Sequence, residues 1–141
     1  MRFLALLAAF CAPSAWAASV PDVIPVDKVW SGHPVNFALL TEPPYQYAAY
    51  FNAEREMVVA QRRLDQDRWV KQKLPSTLAW DSHNYVTMAL DRAGQLHVSG
   101  NMHVVPLVYF RTAKPGDIST LAAAPMTGER EQRMTYPVFM K

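Results

Sequence analysis

The sequence predicts an all-β protein, and three observations carry that prediction. Short runs rich in β-branched and aromatic residues are cut at close intervals by polar turns. No stretch shows the apolar spacing of an amphipathic helix. Two blocks also align with each other at an offset of about fifty residues, each offering four short strands. His33 matches His83 in this alignment, residues 35–39 match 85–90, and residues 57–62 take the place of 106–111. Four strands per unit at that period is the pattern of β-propeller blades.

The N-terminus reads as a secretory leader. Met1-Arg2 is basic, residues 3–12 are apolar, and Ala15-Trp16-Ala17 fits a small-x-small cleavage site. A signal peptide over 1–17, cleaved near Ala17, makes the protein secreted or periplasmic. The apolar run is too short to span a membrane. Phe10 stands before Cys11 where a lipid-anchor signal has a small residue, so no lipidation is expected. Cleavage removes the only cysteine, so no disulfide is available and packing must hold the fold. The formal net charge of the whole chain is +2, which by itself points to neither a polyanion nor a membrane. Arg62-Arg63 is too short a basic run to suggest nucleic acid.

Residues 18–34 carry Pro21 and Pro25 and should lie extended against a later element. The first blade is assigned to 35–75. Residues 35–40 form its first strand, Thr41-Glu42-Pro43-Pro44 breaks it, and 45–51 form an aromatic-rich second. Asn52-Ala53-Glu54-Arg55 turns the chain into a third strand at 57–62, and 68–74 form a fourth that Pro75 stops. Residues 64–69 resemble an Asp-box turn that has lost its glycine. The second blade is assigned to 80–125, with strands at 85–90, 95–99, 105–111 and 118–123. Asp91-Arg92-Ala93-Gly94 and Lys114-Pro115-Gly116-Asp117 supply two of its turns. A third blade opens at 134–141, with 135–140 as its first strand. Propellers close with roughly four to eight blades, so this is an incomplete propeller with an open edge.

Groups capable of chemistry concentrate at 81–103, which holds His83, His97 and His103. His83 precedes the first strand of a hairpin and His103 follows the second, so both belong at one end and can line one pocket. A histidine suits acid or base work because its pKa lies near neutrality. On spacing alone, His83 beside Asp81 and Asn84 can equally serve to bond a turn. His97 shares the facing of Gln95 and Ser99 and reads as a packing residue. His33 reads as structural or peripheral. Asp81, His83, His97 and His103 are all potential metal ligands, but their spacing fits no compact zinc pattern. No metal and no cofactor are expected.

Several motifs resemble one family. They are D-S-H-N-Y at 81–85, H-V-S-G-N-M-H at 97–103, P-L-V-Y-F-R at 106–111, I-P-V-D-K-V-W-S-G-H-P-V at 24–35 and T-Y-P at 135–137. Together they resemble the BNR-repeat-containing β-propeller family, whose members include polysaccharide lyases of the ulvan lyase type. The resemblance covers nearly all of the chain after residue 24 and about the first third of a typical member, so the chain is read as a truncated form. It implies catalytic roles for His83 and His103, one as base or acid and the other binding and neutralising a uronate. Asn84, Asn101 and Trp80 are the candidate substrate-binding groups, Trp80 as a platform for a sugar ring. Aromatic packing competes with that role. The resemblance also implies a tyrosine and an arginine in a Y-R-x-G pattern beyond T-Y-P, and Tyr136 is not that tyrosine. The expected function is β-elimination on an acidic, uronate-containing polysaccharide. A non-catalytic propeller that binds glycan or protein is the alternative. A sialidase-type hydrolase would need an arginine triad that is not visible here.

Overall fold

A computed structural model describes residues 23–140, which form two four-stranded antiparallel sheets and no α-helix. The leader assigned to 1–17 lies outside the described residues. In the first sheet β1 (Ala38–Glu42), β2 (Tyr45–Phe51), β3 (Glu56–Arg63) and β4 (Val70–Thr77) follow one another as a meander. In the second region come β5 (Val86–Leu90), β6 (Leu96–Gly100), β7 (His103–Val105), β8 (Tyr109–Thr112), β9 (Leu121–Ala123) and β10 (Met134–Thr135). The second sheet has the order β5-β6-β8-β9, while β7 leaves it to pair with β10.

The two sheets share one core. Tyr47, Ala49 and Phe51 of β2 alternate with Ala48 and Tyr50, as a strand's two faces require. The first three join Met57, Val59, Leu74 and Leu78 and meet Val86, Met88, Leu96, Val98 and Phe110 of the second sheet. Met57 and Leu78 are among the largest fully buried side chains, and burying each contributes about 1.5–3 kcal/mol. The opposite face of β2 and β3 is also covered: Ala48, Tyr50, Val58 and Ala60 pack under Val26 and Trp69. The N-terminal segment supplies Val26 to this cover, and the loop between β3 and β4 supplies Trp69. The N-terminal segment runs extended here. It is pinned where the Tyr50 hydroxyl donates to Asp27 at 2.8 Å and Lys71 pairs with the same carboxylate at 3.0 Å.

Five strands differ from the sequence expectation. β1 starts at Ala38 because the far end of β2 is taken: Trp30 N–H bonds the Phe51 carbonyl and Val29 bridges to Asn52. β4 runs through Pro75 to Thr77, since it is an edge strand and its register with β3 shifts between Glu56 and Val58. A proline without an N–H is tolerated at such an edge irregularity. The strand expected at 105–111 begins only at Tyr109, because 103–105 peel away to meet β10. The expected strand at 118–123 opens instead as a short 3-10 turn, Ile118–Thr120, with the Asp117 carboxylate accepting from Ser119 N–H, before β9. Of the strand expected at 135–140, only Thr135 lies in a ladder.

Candidate functional site

The turn before β5 is built by Asp81. Its Oδ1 accepts the His83 backbone N–H at 2.9 Å, and its carbonyl accepts the Asn84 N–H at 3.1 Å. This is the local turn that short carboxylate side chains favour. The bend lifts His83 out of the strand and brings it beside His103 at the start of β7. Gly100 makes the approach possible. A Cβ there would lie 2.4 Å from the Tyr85 carbonyl oxygen, so only glycine lets β6 pass this close. The chain then turns through Asn101 and Val104, both at positive φ (57°). That value is strained for a β-branched residue such as Val104.

One carboxylate meets both rings. His83 Nδ1 lies 2.5 Å from Asp81 Oδ1, and His103 Nδ1 lies 2.6 Å from Asp81 Oδ2. The two imidazoles are side by side, with centroids 4.3 Å apart. The His83 backbone N–H and then the rings of His103 and His83 hold the Asp81 carboxyl well below the usual carboxylate range. Both histidine side chains are substantially exposed, 46% for His83 and 37% for His103. No protein partner is found for either Nε2 atom among the described residues. The cluster therefore presents two ring nitrogens to solvent on one anchored support. Donor atoms of Asp81, His83 and His103 also fall within 4.8 Å of one another, a set able to hold a metal ion. His97, the fourth potential ligand in the sequence, is elsewhere.

Tyr136 was set aside in the sequence, yet its ring completes the cluster. It lies 5.7 Å from His83 and 6.3 Å from His103, and stacks at 9° on Tyr85. Pairing of β10 with β7 brings it there, helped by the Tyr85 hydroxyl donating to the Pro137 carbonyl and Val104 N–H donating to Thr135 Oγ1. Tyr136 itself has φ 54°.

The other sequence candidates occupy different settings. Asn84 is buried, and its side-chain oxygen has no hydrogen-bond partner. The Asn101 amide donates to Ser76 Oγ and the Thr77 carbonyl, tying the loop after β6 to β4. Trp80 is 70% exposed and leans edge-on against Trp30 at 5.5 Å and over His33 at 5.1 Å. In that aromatic group Trp30 Nε1 donates to His33 Nδ1. His97 packs in its strand as its facing suggested. Its Nδ1 contacts the Tyr109 hydroxyl at 2.6 Å and its Nε2 contacts Asp91 at 3.2 Å. A hollow of about 950 Å³ opens beside it, lined by Leu40, Met88, Leu90 and Phe139 among others. Both nitrogens of the histidine there are engaged. The His83–His103 pair, whose side chains are 46% and 37% exposed, is thus the better place for acid–base chemistry.

Residues 45–141, which include every member of the Asp81 cluster, match the family described as BNR repeat-containing family member. The chain belongs to that family. No curated protein matches it. In this BNR-repeat chain the matched span starts at β2, leaves out β1, and takes in the rest of the first sheet, the whole second sheet and the β7–β10 pair. The two histidines that share Asp81 come from separate segments of that span, joined only by the hairpin between them.

Proposed function

We propose that this is a secreted carbohydrate-active protein whose Asp81–His83–His103 cluster cleaves a uronate-containing polysaccharide by β-elimination. Its two sheets would be propeller blades, 35–75 and 80–125, with a third opening at 134–141 and a leader over 1–17. The observation that carries the reading is the pair of open imidazole nitrogens, side by side on one carboxylate. In this reaction one imidazole takes the proton alpha to the uronate carboxylate. The electron pair left behind forms the carbon–carbon double bond and expels the 4-O-linked sugar, whose oxygen takes up the proton that this imidazole now carries. The second imidazole takes up a proton at Nε2 as the uronate binds and donates it in a hydrogen bond to the uronate carboxylate, which acidifies the adjacent C–H. Trp80 offers an exposed ring face near one sugar. Neither nucleic acid nor a membrane enters this reading, and no described helix is long and apolar enough to cross one.

A second reading, a non-catalytic module that binds glycan, rests on Trp80, whose ring is 70% exposed. Asn84, buried, and Asn101, whose amide is engaged by Ser76 and Thr77, are taken up by the fold in either reading. The test separates the two. The protein is incubated with ulvan and related polyuronates while the ultraviolet absorbance of unsaturated uronate is followed, and binding is read in parallel by affinity electrophoresis. Product that disappears in His83→Gln and His103→Gln supports elimination. Retardation without product supports the binding module. Neither product nor retardation overturns both.

A further inference from the structure

Resting on the reading of His83 and His103 as the acid–base pair, we propose that Asp81 is their shared positioning residue, holding both imidazoles as Nδ1–H tautomers so that both Nε2 lone pairs face solvent. The inference starts from what a carboxylate can do. Ionised, Asp81 only accepts hydrogen bonds. Its two oxygens are each directed at a different Nδ1, at 2.5 and 2.6 Å, and Oδ1 takes the His83 backbone N–H as well. Both Nδ1 atoms must then carry the proton. In water a free neutral imidazole favours the Nε2–H form, so the carboxylate reverses the intrinsic preference at two rings at once. The tautomer decides which nitrogen is basic, which makes a residue that never touches substrate decisive for the reaction.

A metal ion held by the same three side chains, whose donor atoms lie within 4.8 Å of one another, is the competing use of this cluster.

The other two histidines supply internal controls, because the structure gives them the opposite form. Trp30 Nε1 donates to His33 Nδ1, which must therefore be unprotonated. His97 Nε2 faces the Asp91 carboxylate and its Nδ1 faces the Tyr109 hydroxyl. Each of these neutral rings is an Nε2–H tautomer. The four histidines thus divide two and two.

The experiment is a long-range 1H–15N correlation spectrum of the imidazoles, recorded without substrate at a pH where the rings are neutral. The result expected is the Nδ1–H pattern for His83 and His103 and the Nε2–H pattern for His33 and His97. In Asp81→Ala, His83 and His103 should both revert to mainly Nε2–H while His33 and His97 stay unchanged. In Asp81→Asn only one ring keeps an acceptor, so only one should revert. An unchanged backbone amide spectrum shows that each variant is folded, and the native pattern alone decides if neither is. Loss of positioning should lower kcat by about tenfold or more with little change in KM. Nε2–H at His83 or His103 in the native protein overturns the proposal. So does stoichiometric zinc that survives dialysis and is lost in Asp81→Ala, since the carboxylate would then be a metal ligand. Native tautomers as expected without any uronate elimination would leave the Asp81 role standing and remove the lyase reading alone.

Discussion

Two regions of this molecule pair histidine with aspartate, and they differ in what is left over. In the Asp91–His97–Tyr109 group both ring nitrogens are engaged. Tyr109 is buried, and burial pushes its hydroxyl pKa up. The group is closed and ties the turn after β5 to strands β6 and β8. At Asp81 one carboxylate serves two rings, each of which keeps a nitrogen open to solvent. The difference teaches that a carboxylate–histidine contact is not in itself a functional mark. The second nitrogen decides: with a partner the ring is part of the fabric, and without one it is available for chemistry.

The comparison breaks most visibly through activity. Replacing His83 or His103 with glutamine should cost about 10²–10⁴-fold in uronate elimination, measured as the rate of product absorbance. The same changes should move stability by no more than about 0.5 kcal/mol, since both rings are exposed. Equal losses of stability and activity would show that the open cluster is structural after all. At the closed group the pattern reverses. His97→Ala leaves the buried Tyr109 hydroxyl without its partner and should destabilise by about 1–3 kcal/mol in denaturant unfolding. Any surviving elimination should keep its kcat.

Smaller effects sharpen the contrast. Tyr136 overlies the open pair, and ring stacking of this kind is worth about 0.5–1.5 kcal/mol. Tyr136→Ala should therefore weaken polysaccharide retention by roughly two- to tenfold, and Tyr136→Phe should not. The smallest effect is on acid stability. Asp81 is held low by the His83 N–H and the two rings, and Asp91 by the Gln95 N–H ahead of the His97 ring, both below the ordinary 3.8. A lowered carboxyl contributes stability that is complete above its unfolded pKa. That contribution is lost as the pH falls through 3.8 toward the folded value. Both sites are exposed, so the contribution is small. Asp81→Asn and Asp91→Asn should each flatten the fall of melting temperature with acid below that pH, and a steeper fall would contradict the hydrogen bonding described here.

Much of this was legible before folding. The β2 strand, the hairpin turn at Asp91–Gly94 and the nearness of His83 to His103 all follow from local pattern, because alternation and turn chemistry act over a few residues. Tyr136 was not legible. It arrives through β10, a ladder of two residues that pairs with a segment about thirty positions away. Ladders that short carry no periodicity, and a left-handed φ at tyrosine leaves no mark in composition. The sharing of Asp81 was equally hidden. The sequence set Asp81 beside His83, but nothing local directs its second oxygen to His103.

By itself, then, the sequence determined an all-β chain of repeated four-strand units and two histidines at one end of a hairpin. Strand patterning and turn residues encode those features locally. The tertiary structure decided that one carboxylate would hold both rings, that His97 would be closed by Tyr109, and that Tyr136 would overlie the open pair. Each of those depends on a hydrogen bond or stacking contact between segments distant in the chain. Such contacts form only once the shared core of Met57, Leu78, Val98 and Phe110 has fixed the two sheets together.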